Sequence, residues 1–472
     1  MPMQFYNSLT RRLEPFTPLV PGHVGIYVCG PTVYSEPHLG HARGPVVFDV
    51  LRRWLERQGN TVRYVSNITD VGHLTDDADD GEDKLARRAK LERLEPMEVA
   101  EKYFWAYFDA MQRLGVRRPS IVPRATGHVT EQIALTQELI ARELAYEAGG
   151  SVYFDVSAWS AYGELSGRDP SELVEGTRVE VRSEKRDPRD FALWKRAERE
   201  HIMRWPSPWG EGFPGWHVEC SVMSTKYLGD EFDIHGGGLD LVFPHHECEL
   251  AQARGAGKPF ARYWLHWNML TLGGEKMSKS KGHVVDLATL FDQVDPMVVR
   301  FHLLRSHYRS LSDFADEALQ ASAAGLERLR SAYASWPTHG GSGTPSEAWT
   351  SSRERFAAAM DNDLNTPEAI AVLFDVTREA NRARDAGDVG CAAAARSLFD
   401  DLLAGVLGID VVGVRKHDHA LLGDVVEVVL DQRQLARKRR DFTAADAIRE
   451  RLSDLGVIVE DTPDGARWRR QG

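Results

Sequence analysis

The amino-acid sequence predicts an α/β protein: a parallel nucleotide-binding sheet interrupted by an insertion, then a helical region and a small terminal α+β unit. Three observations carry that prediction. A strand at residues 24–28, a glycine turn at Cys29-Gly30-Pro31-Thr32 and a helix over 40–55 follow one another near the N-terminus. Strand-like and helix-like stretches alternate from 20 to 125 and resume after Pro214. Beyond Pro296 the apolar spacing becomes that of amphipathic helices.

Each element follows in order. Residues 61–69, after the Gly59-Asn60 turn, read as the second strand of a βαβ start. A helix over 131–144 leads through Gly149-Gly150 to a strand at 151–154, and residues 162–165 and 177–181 belong to a small insertion. Alternation from Pro214 through Leu241 completes the parallel sheet. Helices at 326–330 and 355–360 flank a Gly/Ser/Thr-rich linker at 338–345. Asn365-Thr366-Pro367-Glu368 marks a helix start, a cap residue followed by proline in the first turn. Cys391, in an alanine run, is expected as a small buried helix residue, and the terminal unit begins near Leu422.

Bulk properties narrow the function classes. The chain has 472 residues, 42% hydrophobic and 27% charged, the composition of a globular protein of several domains. No apolar run reaches the ~20 residues of a membrane span. The opening Met1-Pro2-Met3-Gln4-Phe5 lacks the basic-then-apolar pattern of an export signal. Four dispersed cysteines argue for reduced thiols and a cytoplasmic setting. A net charge of −12 excludes a surface coated with nucleic-acid-binding charge, yet leaves room for a local basic track. The acidic run at 76–83 lacks the spacing of a calcium hand and reads as a solvated loop.

Two distant motifs point to ATP. Pro37-His38-Leu39-Gly40-His41 stands at the strand–turn–helix junction, where backbone N–H groups and the positive helix end face an anion. Imidazole N–H groups of His38 and His41 can bond phosphate oxygens as they gain charge. Lys276-Met277-Ser278-Lys279-Ser280, between Gly273-Gly274 and Gly282, offers Lys276 and Lys279 as cations for a polyphosphate. Taken singly, each motif is equally well a satisfied histidine pair or a solvated basic loop; the pair together favours the phosphate site. A third constellation is Cys29, Cys220, His245 and Glu249. His245 and Glu249 stand at i and i+4, on one face of a helix, and two thiolates, an imidazole and a carboxylate suit Zn2+. On residues alone, two buried cysteines and a helix-start histidine explain it as well.

The two ATP motifs resemble the signatures of class I aminoacyl-tRNA synthetases, with Leu39 where isoleucine is usual. Residues 27–34 (Tyr-Val-Cys-Gly-Pro-Thr-Val-Tyr), 187–195, 215–221 and 243–247 resemble those of cysteinyl-tRNA synthetases, over a stretch from about residue 5 to Trp468. That resemblance implies a class I Rossmann-like parallel sheet with an inserted connective domain, a helical bundle and a C-terminal α+β anticodon-binding domain. The implied boundaries are 18–125 and 206–260 for the two catalytic halves and 126–205 for the insertion. A stem-contact region with the lysine loop at 261–315, a helical bundle at 316–410 and an anticodon-binding domain at 420–472 follow.

By the same resemblance Cys29, Cys220, His245 and Glu249 hold zinc. The family usually has asparagine where Cys248 stands, and Cys248 should project from another helix face. Zinc binds a thiolate strongly and a serine hydroxyl poorly, which separates near-isosteric amino acids without editing. The resemblance places Cys29, Gly30, Pro31, Thr32, Gly44, Asn67, Ile68, Thr69 and Leu270 around the adenylate, with Trp216 closing over the substrate cysteine. His235, Gly236, Gly237, Gly238, Leu239 and Asp240 hold the ribose and amino group. It implies ATP with Mg2+, L-cysteine and tRNA(Cys) as substrates, a monomer, and no membrane association. Residues 435–449 and 455–465, ending near Trp468, resemble the anticodon-binding end, where cationic side chains contact phosphate and Trp468 stacks on a base. The competing readings are a cysteine ligase with an amino-sugar acceptor, as in mycothiol synthesis, an inactive zinc RNA-binding protein, and a structural scaffold.

Overall fold

Four parallel strands carry the centre of the molecule. They are β1 (His23–Val28), β2 (Thr61–Ser66), β3 (Glu231–Gly238) and β4 (Phe260–Trp267), ordered β4-β3-β1-β2. The computed structural model describes residues 2–71, 84–168, 184–198, 201–276, 285–338, 349–412, 416–455, 457–462 and 465–470. The strands read as apolar runs because both sheet faces are covered: Val24, Ile26, Tyr27 and Val28 are all buried. Helix α1 (Arg43–Arg57) follows β1, α2 (Pro96–Arg113) follows β2, and α3 (Val218–Leu228) and α4 (Glu247–Gly255) flank β3.

The chain runs outward from β1 to β2 on one side and from β3 to β4 on the other. The order therefore reverses between β1 and β3, and the carboxyl ends of those strands splay into a crevice where α/β proteins hold ligands. The Cys29 N–H donates to Gly236 O at 3.1 Å, tying the two strand ends together at that crevice.

Three local readings shift. The helix predicted over 40–55 begins as a 3-10 turn (Leu39–His41) and becomes α-helical at Arg43–Arg57. Pro45 sits in the first α-helical turn, where its missing N–H has no partner to lose. Strand β2 stops at Ser66, because the N–H groups of Ile68 and Thr69 turn to Pro123 O and Pro31 O. The parallel sheet is completed one strand later than residue 241, by β4.

The insertion is a five-stranded antiparallel sheet, in spatial order Ala145–Ala148, Ser151–Phe154, Phe191–Arg196, Gly210–Pro214, Trp205–Ser207. It runs to Pro214, and the 177–181 segment lies outside the described residues. Downstream, helices Asp316–Ser335, Thr350–Asp361, Thr366–Asp385 and Val389–Phe399 form the helical part. Asn365 Oδ1 accepts from the Glu368 N–H at 3.3 Å, capping as its sequence predicts. Cys391 is half-buried, not buried.

Val412–Gly472 forms a separate compact unit. Helices Lys416–Lys438 and Phe442–Asp454 precede an antiparallel hairpin of Val457–Thr462 and Gly465–Arg470. Its core is Val426, Leu430, Leu452, Val457 and Val459.

A buried ion pair joins α1 to later elements. Asp49 Oδ2 accepts from Arg300 Nη2 at 2.6 Å, and Arg300 also donates to the carbonyls of Leu407 and Leu114. Burial works to raise the Asp49 carboxyl, but the charges of Arg300 and Arg53 overturn that and hold it below the ordinary carboxylate range. Its stabilising share is thus complete at neutral pH and is lost as the medium is acidified below about pH 4. Asp49→Ala leaves Arg300 buried and uncompensated, so a loss of about 3–5 kcal/mol is expected in urea unfolding at pH 7. The difference between variant and parent should shrink on acidification.

Candidate functional site

The crevice opens into a cavity of about 600 Å3. The turn after β1 supplies Cys29, Gly30, Pro31 and Thr32; the 3-10 turn supplies His38 and His41. Trp216, Gly238, Asp240, His245 and Leu270 line it from the other half. The rings of His38 and His41 stack at 3.7 Å between centroids. The His38 backbone N–H donates to His41 Nδ1 at 3.2 Å. That bond makes Nδ1 the acceptor, so in the neutral ring Nε2 carries the proton and can donate to an anion.

At the base of the cavity the four candidate metal ligands converge. One atom each of Cys29, Cys220, His245 and Glu249 lies within 4.8 Å of the other three. Cys29 Sγ is 3.6 Å from Cys220 Sγ and 3.4 Å from Glu249 Oε1, and His245 Nε2 is 3.1 Å from the same oxygen. A second group, Cys29, His235, His246 and Glu249, meets the same criterion. His246 Nε2 lies 3.3 Å from Cys29 Sγ, and His235 Nε2 lies 2.8 Å from Glu249 Oε2. Of the three histidines only His245 lines the cavity, so the first group leaves an ion facing a ligand there. His246 is also engaged behind the site: its Nδ1 is 2.8 Å from His266 Nε2, and His266 Nδ1 is 2.7 Å from Ser8 Oγ.

Burial sets the charge state of this base. It pushes the Cys29 thiol well up and Cys220 to about 11, and it drives His246 well down and His266 to about 3. With no cation among them, the thiols keep their protons and the two imidazoles stay neutral. A divalent cation reverses this for the thiols by stabilising the thiolates. The donor set fits zinc: soft sulfur, imidazole and carboxylate, mutually close and shielded from water. Cys248 stands apart, with Sγ 3.4 Å from Tyr162 Oη, as its place one residue before Glu249 on a helix requires.

Other sequence-predicted residues build the walls and floor rather than the lining. Asn67 Oδ1 accepts from the Gly30 N–H at 2.8 Å, and a Cβ on Gly30 would come within 1.6 Å of Asn67 O. Only glycine lets the turn close on β2. Thr69 Oγ1 donates to Glu219 Oε2 at 2.7 Å, and Ile68 is in the core. Gly44 packs on the Trp267 ring, Gly236 on Phe48 and Gly237 on His246. Leu239 is 46% exposed. The backbone of Lys276 pairs with Thr271, while Lys279 and the acidic run at 76–83 lie outside the described residues.

Sequence reasoning missed three buried groups. Arg43, beside the histidine motif, donates to the carbonyls of Met269, His307 and Ser310 at 2.6–2.9 Å, anchoring α1 to the segment before Leu270. Glu219 sits next to the candidate ligand Cys220, and burial raises its carboxyl well above the usual range. His246 was visible only as the second of two adjacent histidines. In the terminal unit Arg437, Lys438, Arg439 and Arg440 are exposed, and so is Phe442 at 58%. Trp468 is half-buried against the small core, with Nε1 donating to Glu427 Oε1 at 3.1 Å.

A reversed parallel sheet, a histidine pair at the helix entrance and a ligand crevice at the strand ends define a class I aminoacyl-tRNA synthetase. Residues 15–324 match the catalytic domain of class I (C) tRNA synthetases, 355–411 the DALR domain, and 419–469 the cysteinyl-tRNA ligase anticodon binding domain. The chain belongs to the cysteinyl-tRNA synthetase family. It is 55% identical to the cysteine–tRNA ligase of Thermus thermophilus across 99% of both chains. It is 54% identical to that of Deinococcus radiodurans across 98% of this chain and 96% of the other. The fold also matches Mycobacterium tuberculosis methionyl-tRNA synthetase in complex with methionyl-adenylate, at a TM-score of 0.62 and 15% identity, covering 90% of this chain and 96% of that one.

Two outcomes follow from this geometry. Gly30→Ala should lower cysteine-dependent ATP–pyrophosphate exchange by about tenfold or more, since the turn must move by more than an ångström. Protons compete with a metal for these donors, so metal retained after dialysis against a chelator should fall as pH is lowered from about 8 to about 6. Elemental analysis of the dialysed protein reads that directly.

Proposed function

We propose that this chain activates L-cysteine with ATP and transfers it to the 3′ end of tRNA(Cys). The observation that carries the reading is the convergence of Cys29, Cys220, His245 and Glu249 within 4.8 Å, beside a cavity that also holds His38 and His41. A cavity of about 600 Å3 suits a small-molecule adenylate. Zn2+ held by those four residues would supply a soft Lewis acid that prefers the substrate thiolate to a serine hydroxyl. The second group, through His235 and His246, is the poorer ligand set because neither histidine lines the cavity.

The chain's own groups then orient the reactants. In activation a cysteine carboxylate oxygen attacks the α-phosphorus of ATP, and the bond to the bridging oxygen breaks to release pyrophosphate. His41, donating through Nε2, and His38 stabilise the charge gathering on the phosphates. Lys276 and Lys279 neutralise the departing pyrophosphate, and Mg2+ enters with ATP. Trp216 and Thr32, both on the cavity wall, bound the cysteine side, while Asp240 and Gly238 face it from the end of β3. Leu270 lies at the adenine end. The Arg43 clamp keeps that strand in register with the histidine motif.

Transfer to tRNA is favoured over an amino-sugar acceptor by the anticodon-binding match over 419–469 and by the exposed cationic turn beside Phe442. Trp468 is the weaker stacking candidate, since its indole is already engaged. The family resemblance extends to a cytoplasmic monomer, which light scattering of the purified chain tests. No helix among the described residues is long and apolar enough to cross a membrane.

The decisive experiment is tRNA charging with cysteine against serine, with an amino-sugar control and metal analysis of the same sample. Cysteine-specific charging with one zinc per chain is expected; charging of the amino sugar alone would assign the other acceptor. Cys220→Ser should cut cysteine-dependent exchange by at least about 100-fold while leaving the circular dichroism spectrum intact. Lys279→Ala should retain cysteine binding yet lose adenylate formation; turnover at the parental rate would remove that lysine from the mechanism.

A further inference from the structure

Among the described residues, two basic side chains other than imidazoles line the adenylate cavity, Arg43 and Lys84. Arg43 is buried, and its Nη1 and Nη2 groups are occupied by the carbonyls of Met269, His307 and Ser310. Lys84 has no part in the chemistry derived above. Local packing fixes where it stands. It opens a nine-residue helix, Lys84–Glu92, that lies against α2. Leu85 and Ala89, four residues apart on one face, are buried in the main core. Arg88 Nη2 donates to the Tyr103 hydroxyl of α2 at 2.7 Å, and Lys102 Nζ lies 2.8 Å from Glu92 Oε2. Lys84 itself is half-buried, with Nζ 5.8 Å from the centroid of the Tyr34 ring, within cation–π range. Tyr34 also lines the cavity, in the stretch that joins the Cys29–Thr32 turn to the histidine turn.

The first half of the reaction needs a cation in that stretch. Activation drives two anions together: a carboxylate oxygen bonds to the α-phosphorus, whose non-bridging oxygens already carry charge. The bond to the bridging oxygen breaks, pyrophosphate leaves with that electron pair, and no proton is transferred. Repulsion is greatest at the point of attack, between the end of the cavity that holds the amino-acid side chain and the end that holds the outer phosphates. The candidate metal ligands serve the first end, and the histidine pair serves the second. A lysine ammonium is a compact point charge, and a fixed charge acts most strongly where water is scarce. Held over Tyr34, it stands on the wall that connects the two ends.

We propose that Lys84 is a catalytic residue of cysteine activation, its ammonium lying against the α-phosphate and the incoming carboxylate and screening the charge that gathers between them. The proposal rests on the ligase reading above. Its test uses the full chain and two variants. Lys84→Met keeps the length of the side chain and its packing on Tyr34 without the charge, whereas Lys84→Arg keeps the charge. Bound zinc and the circular dichroism spectrum are read on the same samples and are expected to match the parent in both.

In Lys84→Met the kcat of cysteine-dependent ATP–pyrophosphate exchange is expected to fall by about tenfold or more, with KM for cysteine and for ATP within about threefold of the parent. Lys84→Arg should recover exchange to within about fivefold of the parent. Single-turnover transfer from isolated enzyme-bound adenylate to a tRNA(Cys) transcript should slow by less than exchange does. Exchange at the parental rate in Lys84→Met would overturn the assignment, and a slowing of transfer alone would give the lysine to the incoming tRNA instead. Equal losses in the two variants, or a loss of zinc or of the folded spectrum in Lys84→Arg, would reduce it to a packing residue and overturn the proposal as well. Absence of cysteine-dependent exchange in the parent would overturn the ligase reading, and the role of Lys84 with it.

Discussion

Four electron-rich side chains meet at the bottom of the crevice, and their neighbours leave no room for water to separate them. Cys220 and Glu249 are essentially inaccessible, and Cys29 is only partly reached from the cavity. If both thiols and the Glu249 carboxyl ionised without a counter-ion, their repulsion in a low-dielectric interior would oppose folding. The arrangement is stable only when protons or a cation occupy it. Everything above the crevice floor is built on that requirement, because the turn that begins with Cys29 also bears the cavity wall.

The candidate ligands come from three separate parts of the chain, so the scaffold must bring them into register. The reversal of strand order between β1 and β3 does so by laying Cys29 beside Gly236 at the strand ends. Helix α3 brings Cys220, and α4 presents His245 at its entrance and Glu249 in its first turn. The same cavity is lined by the histidine pair, so the candidate phosphate-binding groups and the candidate metal ligands share one space. Arg43 and Asp49, both on α1, hold that helix against later segments, linking the histidine-bearing turn to residues more than two hundred positions away.

Much of this was legible in the sequence. The βαβ start was readable from a strand, a glycine turn and a periodic helix, and the Asn365 cap from its side chain and the proline after it. His245 and Glu249 were readable as a pair because helix geometry places i and i+4 on one face. The helix start was less so: His41 caps locally, a side-chain choice that the apolar pattern does not encode. β4 was missed because a strand buried at a sheet edge looks like any short apolar run until its partner is known. Asn67, Thr69, Gly44 and Gly236 stood in recognisable motifs, yet they hold other groups in place instead of facing the cavity.

By itself, the sequence determined which chemical groups exist, the local elements that carry them, and the family to which their pattern belongs. These depend on interactions among residues near in the chain, or on motif identity. The tertiary structure decided which donors share one point. It brought His246, His235 and Glu219 into the same buried cluster and turned Cys248 away toward Tyr162. It also tied Arg43 to the carbonyls of Met269, His307 and Ser310 and opened a second chamber beside Tyr64 and Tyr107. The reason is that burial and mutual distance arise from how elements pack, and a short-range pattern holds no record of its distant neighbours.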